Sequence, residues 1–133
     1  MLLVDTNVLV DVFEDDAAWA DWSVGQLRAQ SQIRELAING IVYAELAAAF
    51  ARFEELDAAV AALGLVVLDI PRPALFLAGK AFVRYRQAGG TKSGVLPDFL
   101  IGAHAAVANM PLLTRDPRSY RRYFPTVTLL TPN

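Results

Sequence analysis

The sequence predicts an α/β fold, an open parallel β-sheet covered by helices on both faces. Three observations carry that expectation. Short apolar segments recur at Leu2–Val4, Leu36–Ile38, Leu65–Leu68, Leu112–Thr114 and Val127–Leu130. Between them lie longer stretches with helical periodicity or helix-forming composition, which is βαβ alternation. Within each segment the apolar character is continuous instead of alternating, as expected for strands buried on both faces.

The elements follow in order. The opening MLLVDTNVLVD reads as a strand that ends on a carboxylate, Asp5. After the second apolar segment, Asn39 can cap a helix running to about Phe53. Leu75, Gly79, Phe82, Val83 and Arg86 would share one face of the helix that precedes Gly89-Gly90. Gln87–Leu96 is the clearest loop. Pro97 suits the first helical position of the Asp98–Asn109 stretch, and Asp116-Pro117 reads as a cap followed by a first-turn proline. No repeat, linker or shift of composition divides the chain, so a single domain over residues 1–133 is expected.

Composition narrows the chemistry. Cysteine is absent and there is one histidine, which excludes disulfide frameworks, thiolate zinc sites and cysteine nucleophiles. Any metal must be held by oxygen. Apolar runs are broken by charge well before the ~18 residues that a membrane span needs. Met1 leads directly into a core strand and not into a leader pattern, so a soluble, cytoplasmic protein is expected. The net charge of −2 gives no bulk attraction to nucleic acid, although a local basic patch can supply one. With 55% apolar residues in 133, a small core leaves apolar surface over, which predicts an oligomer or a bound partner.

In open parallel sheets, ligands sit beyond the carboxyl ends of the strands. Four acids map there: Asp5 after the first strand, Glu45 in the second turn of the next helix, Asp98 in the first turn of its helix, and Asp116 after Leu112–Thr114. Each also has a structural reading. Asp5 and Asp116 are good helix caps, and Asp98 could complement a helix dipole. Glu45 is the only charge in Ile41–Phe50, a segment expected to be largely buried, and an ionised carboxylate there needs a cationic partner. Converging carboxylates raise one another's pKa unless a cation intervenes. A divalent metal answers both needs, and oxygen-only ligation points to Mg²⁺ or Mn²⁺.

Asp5-Thr6-Asn7 after a first strand, Val42-Tyr43-Ala44-Glu45-Leu46, the run Leu96-Pro97-Asp98 through Ala105, and Leu113-Thr114-Arg115-Asp116 followed by Tyr120 and Phe124-Pro125 together resemble the PIN-domain ribonucleases. The nearest branch is the VapC-type toxins of bacterial toxin–antitoxin pairs, and the resemblance spans essentially the whole chain. It implies a PIN-like three-layer α/β/α sandwich with a central parallel sheet and a Mg²⁺- or Mn²⁺-dependent endoribonuclease that leaves 5′-phosphate and 3′-hydroxyl ends. By analogy, Asp5, Glu45, Asp98 and Asp116 correspond to the metal-site acids. Thr114 matches the family's small hydroxyl residue, and Thr6 and Asn7 would orient the first acid. A cognate antitoxin and a homodimer, in a higher assembly with the antitoxin, are the implied protein partners.

Among the basic residues, Arg84, Arg86, Lys92, Arg115, Arg118, Arg121 and Arg122 could wall the acid pocket and hold RNA phosphates. Lys92, Arg86 and Arg115 are the substrate-binding candidates, Arg115 above all because it precedes Asp116 at the strand end. For Arg118, Arg121 and Arg122 an ordinary solvated surface is the expected role. Tyr85, Tyr120 and Phe124 could stack on bases, but core packing is the simpler expectation. Trp19 and Trp22 read as packing or interface residues. His104, about 240° around the helix from Asp98, reads as structural. Three rival functions share parts of the pattern: a housekeeping RNA-processing nuclease, a non-catalytic binding module, and a phosphatase or dehalogenase with Asp5 as nucleophile. The last lacks the expected second Asp at position 7, which is Asn7.

Overall fold

A computed structural model describes residues 1–132. Five strands, β1 (Leu2–Val4), β2 (Leu36–Asn39), β3 (Val66–Leu68), β4 (Leu112–Leu113) and β5 (Leu129–Leu130), form one sheet in the order β3-β2-β1-β4-β5. Every pairing is parallel, with Leu2 opposite Leu36, Leu3 opposite Leu112 and Leu112 opposite Leu129. All carboxyl ends therefore point the same way, with β1 at the centre. Seven helices flank the sheet in the described residues: α1 (Thr6–Phe13), α2 (Ala20–Ser31), α3 (Gly40–Leu46), α4 (Phe53–Ala62), α5 (Arg72–Gln87), α6 (Leu96–Ala108) and α7 (Arg118–Tyr123). This is the expected α/β/α sandwich.

The core follows from the strand composition. Leu2, Leu3, Val4, Ile38, Leu112 and Leu113 are fully enclosed together with Val8, Leu9 and Ile101 from the helices. Strands covered on both faces can only be apolar throughout. β4 ends one residue earlier than expected, but Thr114 N still donates to Leu130 O at 3.0 Å, so the ladder holds the threonine in place.

Asn39 caps α3 as its position suggested, with Oδ1 accepting from the N–H groups of Ile41 (3.0 Å) and Val42 (3.1 Å). Because Oδ1 is occupied, its Nδ2 is the donor to buried His104 Nδ1 at 3.1 Å. Burial also pushes the His104 pKa down, so the ring is a neutral core acceptor.

Two element-level expectations, for the helix after Asn39 and for Asp116, need correction, and the orientation of α5 adds to what the sequence left open. The helix that Asn39 caps stops at Leu46, passes through a 3₁₀ turn at Ala47–Ala49, and yields to extended Phe50 before α4 starts at Phe53. The break lets the Phe50 ring meet Phe13 edge-on at 5.1 Å, a contact three alanines cannot replace. On α5 the bulky face turns outward, with Leu75 45% and Val83 49% exposed, while Ala74, Ala78 and Ala81 face inward. Small residues there let α5 pack closely on α6. Finally, Pro117 and not Asp116 occupies the cap position of α7, leaving the Asp116 carboxylate to another partner.

Candidate active site

The site begins with Asp5, only 4% exposed at the end of β1. Its Oδ1 accepts from Thr6 N at 2.8 Å and caps α1. Its Oδ2 accepts from Thr114 Oγ1 at 2.8 Å, Tyr120 Oη at 2.9 Å and, more distantly, Asn7 Nδ2 at 3.4 Å. Burial pushes the Asp5 pKa up, and these donors oppose the rise only in part. Thr114 joins two acids: its hydroxyl donates to Asp5 and accepts from Asp116 N at 3.1 Å.

Glu45 corrects an expectation. It is exposed, because the short α3 turns Val42 and Leu46 to the core and leaves Glu45 on the open flank. Its Oε1 accepts from Thr6 Oγ1 at 2.6 Å, so Thr6 serves two acids, Asp5 by its backbone and Glu45 by its hydroxyl. Asp98, half-buried in the first turn of α6, has its pKa pushed up to about 7 by burial and then by the charges of Asp5, Glu45 and Asp116. Asp116 is exposed and held below the usual carboxylate range by Arg118, whose Nε and terminal nitrogen lie 3.1 and 3.4 Å from its two oxygens.

The donor set suits a hard divalent cation: carboxylates and hydroxyls alone. Among the described residues, Asp5, Glu45 and Asp98 have no salt-bridge partner of their own. No three acidic or histidine side chains are grouped to hold an ion among the described residues. The carboxylate oxygens are turned to Thr6, Thr114, Tyr120 and Arg118.

The family model for the PIN domain matches residues 2–125. The chain belongs to the PIN-domain family. In solved structures the same fold recurs in VapBC2 from Rickettsia felis bound to a promoter DNA fragment, at 22% identity with a TM-score of 0.75 over 99% of this chain and 98% of that one. It recurs in VapBC-1 from nontypeable Haemophilus influenzae, at 18% identity and a TM-score of 0.73 over 98% and 96% of the two chains. A toxin–antitoxin complex from Klebsiella pneumoniae is similar at 21% identity and a TM-score of 0.65, over 100% and 98%. No curated protein gave a match.

The cations of this PIN domain are placed differently from the sequence expectation. Arg115 does not point at the acids: its guanidinium makes a two-bond pair with Asp11, Nε to Oδ2 at 2.8 Å and the terminal nitrogen to Oδ1 at 3.0 Å, and lies 5.4 Å from the Trp19 ring centre. Asp11 is 1% exposed and takes a further bond from Ser23 Oγ at 2.9 Å, so a buried charge claims the nearest guanidinium. Arg86 lies over Phe82, 5.0 Å from the ring centre, on the outward face of α5. Of the three candidates, Lys92 alone lines a cleft with Asp98 and Asp116. The residue that sequence reasoning left in the core is Tyr120. Its ring is core, as expected, but its hydroxyl reaches Asp5, and the tyrosine pKa is driven up by burial and by the charges of Asp5 and Asp98. Its place four residues after Asp116, in the run that carries the family resemblance, was the signal for it.

Proposed function

We propose that this PIN domain is a Mg²⁺- or Mn²⁺-dependent endoribonuclease and the toxin member of a toxin–antitoxin pair. The observation that carries the reading is the meeting of four acids at the carboxyl edge of the sheet, where burial and then the charges of Asp5, Glu45 and Asp116 push the Asp98 pKa up to about 7. A chain that keeps such repulsion at the carboxyl edge of its sheet has a use for a positive ion there. Asp5, Glu45, Asp98 and Asp116 would hold it, and Thr114 would fix Asp5 and the Asp116 backbone.

When bound, the metal supplies Lewis-acid polarisation of a phosphoryl oxygen and water of lowered pKa. The chain's own residues do the positioning. Tyr120 and Thr114 hold Asp5 Oδ2 from two sides, and Thr6 sets Glu45. Arg118 must give up Asp116 for that carboxylate to serve as a ligand. Lys92, at the cleft beside Asp98, is the residue of the three candidates best placed to meet a substrate phosphate.

A cognate antitoxin and a second copy of the chain are the partners this reading includes. Toxin–antitoxin assemblies among proteins of the same fold support it. So does the apolar surface left open at Ile33, Phe53 and Phe76, exposed by 69, 66 and 68%. The dehalogenase-type rival is disfavoured because Asp5 is enclosed and its Oδ2 already accepts three hydrogen bonds, which leaves a poor nucleophile.

Cleavage of total RNA by the purified protein, with Mg²⁺ or Mn²⁺, with chelator, and with Asp98→Asn, tests the function. Discrete products that require both metal and Asp98 are expected. Cleavage that survives chelator or the substitution would refute the metal-site assignment.

A further inference from the structure

Beside the acids, the β4–α7 turn and α7 face the loop between α5 and α6 across an open cleft of about 360 Å³. Its lining brings together the acids Asp98 and Asp116, the aromatics Tyr85 and Tyr123, and the cations Lys92, Arg122 and Arg118, the last paired with Asp116. Neither Lys92 nor Arg122 is salt-bridged among the described residues. Both aromatics are fixed in place. Tyr123 is packed against Phe99, with ring centres 4.9 Å apart, and against Tyr85 at 6.3 Å. Tyr85 in turn clips the loop, accepting from Lys92 N at 2.9 Å, while Gly90 lies so close to the ring that no Cβ would fit there. Arg122 rests over Tyr123, 5.5 Å from the ring centre.

We propose that this cleft is the subsite for the nucleotide next to the scissile phosphate, with an unpaired base stacked on the Tyr123–Arg122 platform and its phosphate held by Lys92 and Arg122. The inference rests on the nuclease reading and names the form of substrate that the site accepts. An aromatic ring beside unpaired cations is what single strands use, because only an unpaired base offers its face for stacking. The two acids would repel a polyanion unless cations stood beside them, and Lys92 and Arg122 are placed to do so.

The test uses the Asp98→Asn protein in chelator, so that binding is read without cleavage, and follows anisotropy of a short fluorescein-labelled single-stranded oligoribonucleotide. Tyr123→Leu, which keeps the apolar packing on Phe99 but removes the aromatic face, is expected to weaken binding about tenfold with an unchanged melting temperature. Lys92→Ala and Arg122→Ala should each lower the magnitude of the salt slope by roughly 0.7. Arg34→Ala, at the opposite end of the sheet just before β2, removes the same charge and should change neither. Absence of binding, wild-type-like binding by Tyr123→Leu together with Lys92→Ala, or equal binding of a blunt RNA duplex would overturn the subsite. Metal-dependent cleavage by the unsubstituted protein, measured in parallel, separates the two readings: if it persists while the subsite fails, the nuclease assignment stands alone.

Discussion

Tyr120 Oη donates to Asp5 Oδ2 across 2.9 Å, joining residues 115 positions apart in the chain. The phenol is 1% exposed, and Asp5 accepts from Thr114 on the same oxygen. One buried carboxylate oxygen is thus oriented by two hydroxyls from the far end of the sequence.

Tyr120→Phe removes the donor and keeps the ring. Losing a hydrogen bond to a buried carboxylate should cost about 1.5–3 kcal/mol, read as a lower denaturation midpoint. Cleavage should fall by at least tenfold because Asp5 loses one of its two fixing hydroxyls. A variant with unchanged midpoint and rate would show that the phenol plays no part.

Gly102 on α6 reports on the same tyrosine from behind. A Cβ there would stand 2.5 Å from Phe124 Cδ2 and 3.0 Å from Tyr120 Cδ1, so Gly102→Ala must displace both rings. Overpacking of this kind costs roughly 1–3 kcal/mol. Activity should drop beyond what the stability loss explains, since the shift moves the Asp5 donor; equal melting curves and rates would contradict the close approach.

The acids make stability depend on pH in a definite direction. Asp98 ordinarily titrates near 3.8 but near 7 in the folded chain, so between those values the native state holds more protons than the unfolded one. Stability of the metal-free protein therefore falls as pH rises from about 4 to 7 on this account, and Asp5, also raised, acts the same way. Thermal melts should show a decline from about pH 4 to 7 that is shallower in Asp98→Asn and relieved by Mn²⁺ chiefly at the upper end of that window. A decline of equal size in the variant would exclude Asp98 as its source.

How much of this was legible beforehand depends on distance along the chain. Strand positions, the Asn39 cap and the Asp5 cap are local, set by side chains reaching two or three residues onward, and the sequence pattern carries them. The partner of Arg115 is not local. Asp11 lies 104 residues earlier, and only a structure shows that it is buried and needs a guanidinium. For α5 the shared face was legible but its orientation was not: Ala74, Ala78 and Ala81 pack inward because close approach to α6 favours small volume over large apolar area. Glu45 was misread for a related reason: an apolar run suggests burial, but a helix of seven residues has an outer flank whatever its composition.

Breaking the Asp11–Arg115 pair tests that account. Arg115→Ala leaves a carboxylate at 2% side-chain exposure without its cation and should cost on the order of 3 kcal/mol, whereas the Asp11→Asn/Arg115→Ala double variant should recover part of the loss. Additive losses in a double-mutant cycle would mean that the two residues are not coupled. The backbone N–H of Arg115, which donates to Asn7 Oδ1 at 3.2 Å, is kept in both variants, so the Asn7 contact does not enter the comparison.

The central position of β1 has a consequence for synthesis. The first acid is made 109 and 115 residues before its hydroxyl donors, Thr114 and Tyr120, and β4, which seats the last acid, must insert beside a strand made long before. A chain released short of that point carries three of the four acids on segments that have no completed sheet edge to gather them. Translation itself thus delays the gathering of the four acids until β4 and α7 have been made.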